Sequence, residues 1–353
     1  MAKPKVLLIK TGGTVGQKPD ANGVLRPSSD EYIRKVWGLR KLAALKVVDL
    51  GNIDSTNMAT KNSTHGKMLD RTDIAKVIYD NALEYDGFVI VHGTDTMAET
   101  AAALTYMLPG FRKPIVLTGS QRPIWHPRSD AYNNIYTAVE AATKDFGEVV
   151  IAFGNYILRG SRARKVDEER YDAFYTPGTA PVGELICLNE GIRLAENRIR
   201  RGAFDPRIFT DFDTRVFHYA HLSGATIDDV LMDVARSGKV SGILLGGFGA
   251  GNVPDTLLPF IRAAKRKGKP VFVYTKCDTG AADMGIYSVG IAPLEAGAKP
   301  AGDMTLEALG QKLMFALGRA THEGLTGEKR LRCVESIIET PYGGDITVTK
   351  SRR

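Results

Sequence analysis

Two short runs in this chain bring hydroxyl, carboxylate and glycine together in the way acyl chemistry needs. Lys5-Val-Leu-Leu-Ile-Lys-Thr-Gly-Gly-Thr14 reads as an apolar strand that delivers Thr11 onto a two-glycine turn. A threonine hydroxyl is a weak nucleophile until a base takes its proton, and the carbonyl it attacks needs donors for the developing oxyanion. Gly12 and Gly13 help with the second requirement, because a backbone without Cβ atoms can approach a substrate closely and aim N–H groups into the site. The second run, His92-Gly-Thr-Asp-Thr96, follows an apolar strand over 88–91. There Asp95 can pair with a cationic amino group, and Thr94 can place a proton or a water.

Each run also has a plain structural reading. The threonines around Gly12 and Gly13 can cap the turn, Thr94 or Asp95 can cap the helix that runs toward Leu108, and His92 reads as a structural hydrogen-bonding group. Phosphate cradling is a third reading of the first run. The dinucleotide fingerprint would need glycine at 11, 13 and 16, and only Gly13 and Gly16 comply. Two more clusters follow strand ends. In Asn52-Ile-Asp-Ser-Thr-Asn-Met58, Ser55 and Thr56 offer neutral donors to a carboxylate, or else form an Asx or Ser/Thr turn. In Arg159-Gly-Ser-Arg-Ala-Arg-Lys165, a lysine held among desolvated hydroxyls can give up its proton and act as a base, while a solvated lysine in a basic loop cannot.

The elements that must position these groups alternate strand and helix. Strands are expected over 6–9, 46–50, 88–91, 115–117 and 149–153, with helices over 29–39, 72–84 and 99–108 and another capped by Ser129 or Asp130. In the 72–84 helix Thr72 is the expected N-cap, Asp73 complements the dipole, and Gly87 stops the chain. Alternation of this kind implies parallel pairing with right-handed crossovers, which brings the chemistry-bearing ends of the strands to one sheet edge. The segment 195–214 is rich in Arg and Asp, carries Pro206, and has no sustained apolar period, so it reads as a linker between a domain over 1–194 and a smaller α/β domain over 215–353. In the second domain strands are expected over 216–220, 242–245 and 271–274, with a helix over 305–317 capped by Asp303.

Composition narrows the function classes. With 353 residues, 43% hydrophobic and 25% charged, the chain is an ordinary globular one, long enough for two medium domains. Cys187, Cys277 and Cys333 are few, odd in number and far apart, which argues against a disulfide framework or a paired-cysteine metal site. No cofactor and no metal is expected. The first residues, Met-Ala-Lys-Pro-Lys, precede too brief an apolar run for a signal peptide, and no stretch approaches bilayer length, so a cytoplasmic location is expected. The net charge of +7 invites a nucleic-acid partner, but the basic residues are scattered: Arg159 to Lys165, Arg198 to Arg201, Lys265 to Lys269 and the tail from Lys350. That scatter fits helix faces and loops better than one binding stripe.

Taken together, the motifs resemble those of the bacterial-type L-asparaginase family, most nearly its cytoplasmic type I branch. The matching residues are Thr11-Gly-Gly-Thr14, Asp54-Ser-Thr-Asn-Met58, the run from Tyr85 to Thr96, Thr118-Gly-Ser120, Arg159-Gly-Ser-Arg162 with Lys165, Gly249-Ala-Gly-Asn252 and Gly302-Asp-Met-Thr305. The resemblance implies a two-domain α/β fold, a large mostly parallel sheet flanked by helices plus a smaller carboxy-terminal domain, and a metal-free threonine amidohydrolase acting on asparagine. Thr11 would form the acyl-enzyme beside Gly12, Thr94 and Lys165 would be the second hydroxyl and its base, Asp95 would take the α-ammonium, and Ser55 with Thr56 the α-carboxylate. It further implies a homodimer or a dimer-based tetramer, and, from a loop around Cys277 resembling the effector loop of some type I enzymes, control by asparagine. Two departures stand out. Val24 occupies the place of the flap tyrosine that polarises the nucleophile, with Tyr32 the nearest candidate to stand in, and an apparent insertion over 59–69 follows the carboxylate-binding loop. These departures keep open a hydrolase of a different amide, or a non-catalytic amino-acid sensor or subunit resembling that of the archaeal tRNA amidotransferase.

Overall fold

The computed structural model describes residues 2–26, 32–58, 70–186, 191–285 and 287–348. Two compact units divide the chain, Met1–Thr210 and Asp211–Arg353. The insertion over 59–69 and Cys187 lie outside the described residues.

The first unit is built on one eight-stranded sheet. Its strands are β1 (Lys5–Gly12), β2 (Ala44–Ile53), β3 (Gly87–Val91), β4 (Ile115–Thr118), β5 (Val149–Phe153), β6 (Tyr156–Arg159), β7 (Gly183–Ile186) and β8 (Gly191–Leu194), in the order β8-β7-β6-β5-β4-β3-β1-β2. From β2 to β5 the neighbours are parallel. The inner strands β3, β4 and β5 are buried along their whole length and read as nearly unbroken apolar runs, whereas β2, at the edge, is mostly exposed and carries Lys46, Asp49 and Asn52. Along β1, Val6 and Leu8 pack into a core with Ile135, Ala138 and Val139, while the alternating Leu7 and Ile9 are buried on the other face. Beyond β5 the sheet turns antiparallel. The turn is Gly154-Asn155, with Gly154 at φ +57°, a two-residue hairpin connection that needs a left-handed residue.

Three helices of ten residues or more serve this sheet: α1 (Arg71–Asp80), α2 (Met97–Met107) and α3 (Ala131–Ala141). The N-cap of α1 is Asp70 rather than Thr72. Its carboxylate accepts from the N–H groups of Thr72 and Asp73, and Asp73 answers with a bond from Asp70 N at 3.0 Å, so a complete capping box starts the helix two residues earlier than expected. Of the expected helix over 29–39, residues 29–31 lie outside the described residues, and the rest is a 3₁₀ turn, Tyr32–Lys35, followed by a single helical turn, Leu39–Leu42, set off by Gly38 at φ +85°. At α3 the two candidate caps divide the work: Ser129 Oγ accepts from Ala131 N, while Asp130 holds the N–H groups of Gln121 and Arg122.

The chain over 195–209 runs along the first unit through backbone bonds such as Gly147 N to Arg200 O at 2.8 Å and Phe209 N to Met107 O at 2.8 Å. The second unit has a four-stranded parallel sheet in chain order, Val216–Ala220, Gly242–Gly247, Val271–Thr275 and Ala298–Pro300. Its long helix, Leu306–His322, is capped by Thr305, whose Oγ1 accepts from Ala308 N, and not by Asp303. Asp303 instead accepts from the N–H and hydroxyl of Thr347. Inside this unit Lys312 and Asp345, both fully buried, form an ion pair at 2.8 Å. Among the described residues no helix is long and apolar enough to cross a membrane.

Candidate active site

The parallel strands run β2-β1-β3-β4-β5, so the direction of winding reverses between β1 and β3. In open α/β sheets the crevice beyond the carboxyl ends at such a reversal is where ligands bind. Thr11 ends β1 and Thr94 follows β3, so the fold places both hydroxyl runs on the two sides of that point.

Backbone contact holds the two runs together. Gly13 has φ +86°, and a Cβ on it would come within 2.5 Å of Gly93 Cα, so neither turn can carry a side chain at the crossing. Gly12, at φ +114°, packs so closely on Ile53 that an added Cβ would lie 2.4 Å from its carbonyl oxygen. A Cβ on Gly93 would in turn meet Ser55 Oγ at 2.5 Å. These glycines draw β1, the 3₁₀ turn Ser55–Asn57 after β2, and the turn after β3 into one cluster.

Thr11 is 1% exposed and its hydroxyl donates to Val91 O at 3.1 Å. Thr94 and Asp95 do not cap α2; the N-cap is Thr96, whose side chain makes no capping bond to the helix. Their side chains instead meet one ammonium group. Lys165 Nζ donates to Thr94 Oγ1 at 3.0 Å and to Asp95 Oδ1 at 2.7 Å. Lys165 stands on a two-residue strand paired with Phe174–Tyr175, and the loop beyond it is tied back by Gln121, whose amide donates to the carbonyls of Glu168 and Arg170. The structure thus gathers a hydroxyl, a lysine and a carboxylate by hydrogen bonds, with Lys165 partly buried and Asp95 about half exposed, and sets their turn against the one that follows Thr11.

Ser55 is buried, and its carbonyl accepts from Thr96 Oγ1 at 2.8 Å, which binds this loop to the one after β3. Thr56 is exposed and gives both its N–H (3.0 Å) and its hydroxyl (2.8 Å) to Asp54. Asp54 therefore shapes the turn as an Asx cap, and of the two neighbours it is Ser55 whose hydroxyl lies against the glycine crossing. His92 is wholly buried, and burial presses its pKa down to about 4, so it is neutral and hydrogen-bonded rather than acid or base.

Val24 sits in the hairpin Lys18–Pro19 and Leu25–Arg26, half exposed, with its N–H held by Asp20 Oδ1 at 3.0 Å. Tyr32 does not reach Thr11. Its ring packs on Gly16 in the core shared by Val6, Leu8 and Val15, with Lys10 Nζ 5.1 Å from the ring centre, and burial beside the negative Asp49 pushes its pKa up. No tyrosine oxygen lies within hydrogen-bond distance of Thr11 among the described residues. Nor do these residues hold a cluster of His, Cys, Asp and Glu able to bind a metal. The Gly249 to Asn252 and Gly302 to Thr305 motifs belong to the second unit, where the first closes a turn through mutual backbone bonds of Phe248 and Asn252 and the second anchors Thr347.

Sequence reasoning overlooked the groups behind the site. Arg71, Thr100 and Met58 surround His92, and Gln121 ties the lysine loop. An arginine at the first position of a helix, where a carboxylate is preferred, was the available signal for the first of these.

The chain is similar to known proteins along most of its length. Residues 5–200 match the family model described as Asparaginase, N-terminal, and residues 219–324 match the Glutaminase/Asparaginase C-terminal domain. The chain is 35% identical over 352 residues to an L-asparaginase of Thermococcus kodakarensis, covering 97% of this chain and 99% of that one. It is 32% identical to a glutamyl-tRNA(Gln) amidotransferase subunit of Aeropyrum pernix, covering 98% of this chain and 80% of that protein. Among solved structures, the thermostable L-asparaginase from Thermococcus kodakarensis superposes with a TM-score of 0.85 at 34% identity, over 98% of this chain and all of that one.

Proposed function

The chain belongs to the asparaginase family, and from that premise we propose that it hydrolyses L-asparagine to L-aspartate and ammonia, with weaker action on glutamine. The observation that carries this reading is the crossing of Gly13 and Gly93, which sets the turn after Thr11 against the turn whose Thr94 and Asp95 share the Lys165 ammonium.

The chemistry follows from the arrangement. Thr11 Oγ attacks the carbon of the side-chain amide, and backbone N–H groups of the glycine turn receive the developing oxyanion. The C–N bond breaks, an ester to Thr11 forms, and the amide nitrogen leaves as ammonia with the hydroxyl proton. Water then attacks the ester, losing a proton toward the Thr94 and Lys165 pair, and the carboxylic acid leaves as Thr11 regains its hydrogen. Asp95, exposed enough to meet a ligand, exchanges part of its bond with Lys165 for the substrate α-ammonium. Ser55 donates to the α-carboxylate, while Thr56 can join it only by releasing Asp54. With valine at position 24, activation of Thr11 falls to the lysine and second threonine. One methylene in a pocket is worth only about 1–3 kcal/mol, so asparagine and glutamine differ by degree. We further propose a cytoplasmic homodimer or dimer-based tetramer that acts without cofactor, its mass in solution being the check.

The test is ammonia release from purified protein across a panel of α-amino amides, repeated with Thr11→Val. Asparagine should be the preferred substrate, and the variant should lose at least about a thousandfold in kcat. Silence on every α-amino amide rejects the reading. The likeness to the Aeropyrum protein supports a second one, a role in tRNA-dependent amide transfer, which salt-dependent tRNA binding by the purified chain would favour.

A further inference from the structure

We propose that Arg71, Thr100 and His92 form a directional hydrogen-bond chain that positions and polarises the Gly93–Thr94 peptide, which makes Arg71 and Thr100 positioning residues for amide hydrolysis. The inference rests on the reaction proposed above.

The direction of the chain follows from which groups can donate. A guanidinium only donates, and Arg71 Nε gives its proton to Thr100 Oγ1 at 2.9 Å. Thr100 is 0% exposed, so its own proton must find a partner. His92 Nε2 lies 3.0 Å away and Met58 Sδ 3.9 Å, and the nearer nitrogen is the better acceptor. A neutral imidazole carries one N–H. If Nε2 accepts from Thr100, the hydrogen is on Nδ1, which faces Gly93 O at 2.7 Å. The other tautomer would point Nε2–H at Thr100 Oγ1 or at the weak sulfur acceptor of Met58, and set the Nδ1 lone pair against the carbonyl oxygen of Gly93. The first arrangement satisfies every group, and the second leaves two acceptors facing each other at short range.

The position of Arg71 also calls for an explanation. It is 5% exposed and begins α1, where the helix dipole disfavours a cation, and burial brings its pKa down to about 10 in spite of the neighbouring charges of Glu99 and Asp70. An apolar side chain of similar volume would usually serve stability as well or better at such a place. At the far end of the chain is the peptide that joins Gly93, whose Cα lies against Gly13, to Thr94, whose hydroxyl meets Lys165. A hydrogen bond into the Gly93 carbonyl fixes the plane of this peptide and draws charge from the Thr94 N–H, so each donor strengthens the next. The distance from Thr94 to Thr11 is thereby set from inside the protein.

The experiment uses the full-length chain with Thr100→Val, which keeps the shape and removes the hydroxyl, and Thr100→Ser, which restores it. Thr100→Val should lower kcat by about 10- to 100-fold while KM changes by less than about threefold, and Thr100→Ser should stay within about threefold of the parent. In parallel, ¹⁵N NMR of the His92 ring should show Nδ1–H in the parent and in Thr100→Ser, and a population of Nε2–H in Thr100→Val. Arg71→Met provides a second route that leaves the hydroxyl in place, with a smaller fall in kcat and the same change at the ring. An unchanged tautomer in Thr100→Val overturns the chain whatever the activity does. A shifted tautomer with unchanged kcat overturns its role in catalysis. A parent protein that releases no ammonia from any amide counts against the reaction, and the ring spectra still judge the chain.

Discussion

Each unit of the molecule contains a lysine bonded to an aspartate at nearly the same distance, yet the two pairs stand in opposite surroundings. Lys312 and Asp345 meet at 2.8 Å with neither side chain exposed, and Lys312 also donates to the carbonyls of Ile338 at 2.8 Å and Thr340 at 2.7 Å. All three ammonium protons are committed. Asp345 in turn accepts from Tyr342 N, so the pair fastens the end of the chain to the Leu306–His322 helix. Lys165 meets Asp95 at 2.7 Å and the hydroxyl of Thr94 at 3.0 Å, with its own side chain 19% exposed and that of Asp95 55%. A caged ammonium has no partner left with which to exchange a proton. One that shares its bonds between a hydroxyl and a half-exposed carboxylate can trade both with a ligand. The contrast separates a lysine with every proton committed from one open to a ligand, as the proposed reaction requires, and it rests on what surrounds the pair rather than on its length.

The sharpest way to break this comparison is to delete each lysine in turn. Lys165→Met should cost about a thousandfold or more in kcat while the urea midpoint of unfolding moves little, as steady-state ammonia release and denaturation of the same preparation would show. Lys312→Met should do the reverse. It leaves a buried carboxylate without its counter-ion and should destabilise the second unit by about 3–5 kcal/mol, with the activity of molecules that remain folded nearly unchanged. If the two variants exchange phenotypes, the assignment is wrong.

Acid should act on a third buried group. The folded-state pKa of His92 is depressed to about 4, below the ordinary value of 6.5, so its contribution is present above pH 6.5 and is lost as pH falls from 6.5 toward 4, where the unfolded chain takes up a proton that the folded one refuses. That contribution amounts to about 3 kcal/mol. Unfolding free energy should decline by about 2 kcal/mol between pH 7 and pH 5, with the rest lost below pH 5, and a flat profile would contradict a neutral His92. The smallest effect is expected at the hairpin. If Lys165 and Thr94 activate Thr11, then Val24→Tyr should change kcat by no more than about threefold. A much larger gain would move the burden of activation to the missing hydroxyl.

Much of the arrangement was legible in the residues. Thr11 and Thr94 stand where apolar strands run into glycine, and periodicity reads that pattern well. Lys165 was less so, since only the resemblance picked it out of a basic loop. The misjudged helix ends share a cause. Thr72 and Asp303 are both acceptable caps by type, but Asp70 and Thr305 are the residues that meet the free N–H groups, and a shift of two residues in register decides between them. The antiparallel edge went unread although Gly154-Asn155 is a hairpin signal, because short strands such as Gly183–Ile186 lack the apolar repeat that marks β1. The chain from Arg71 to His92 could not be read at all, since its members are joined through space and no local pattern links them.

The crossing of Gly13 and Gly93 has a consequence for how such a protein can change. Because main chain rests on main chain there, the spacing between the turn after Thr11 and the turn that bears Thr94 is fixed by two peptide backbones and not by the choice of rotamers. Side chains around these turns can therefore change while the two backbones stay in register. Even an alanine at either glycine would push the two halves of the machinery apart.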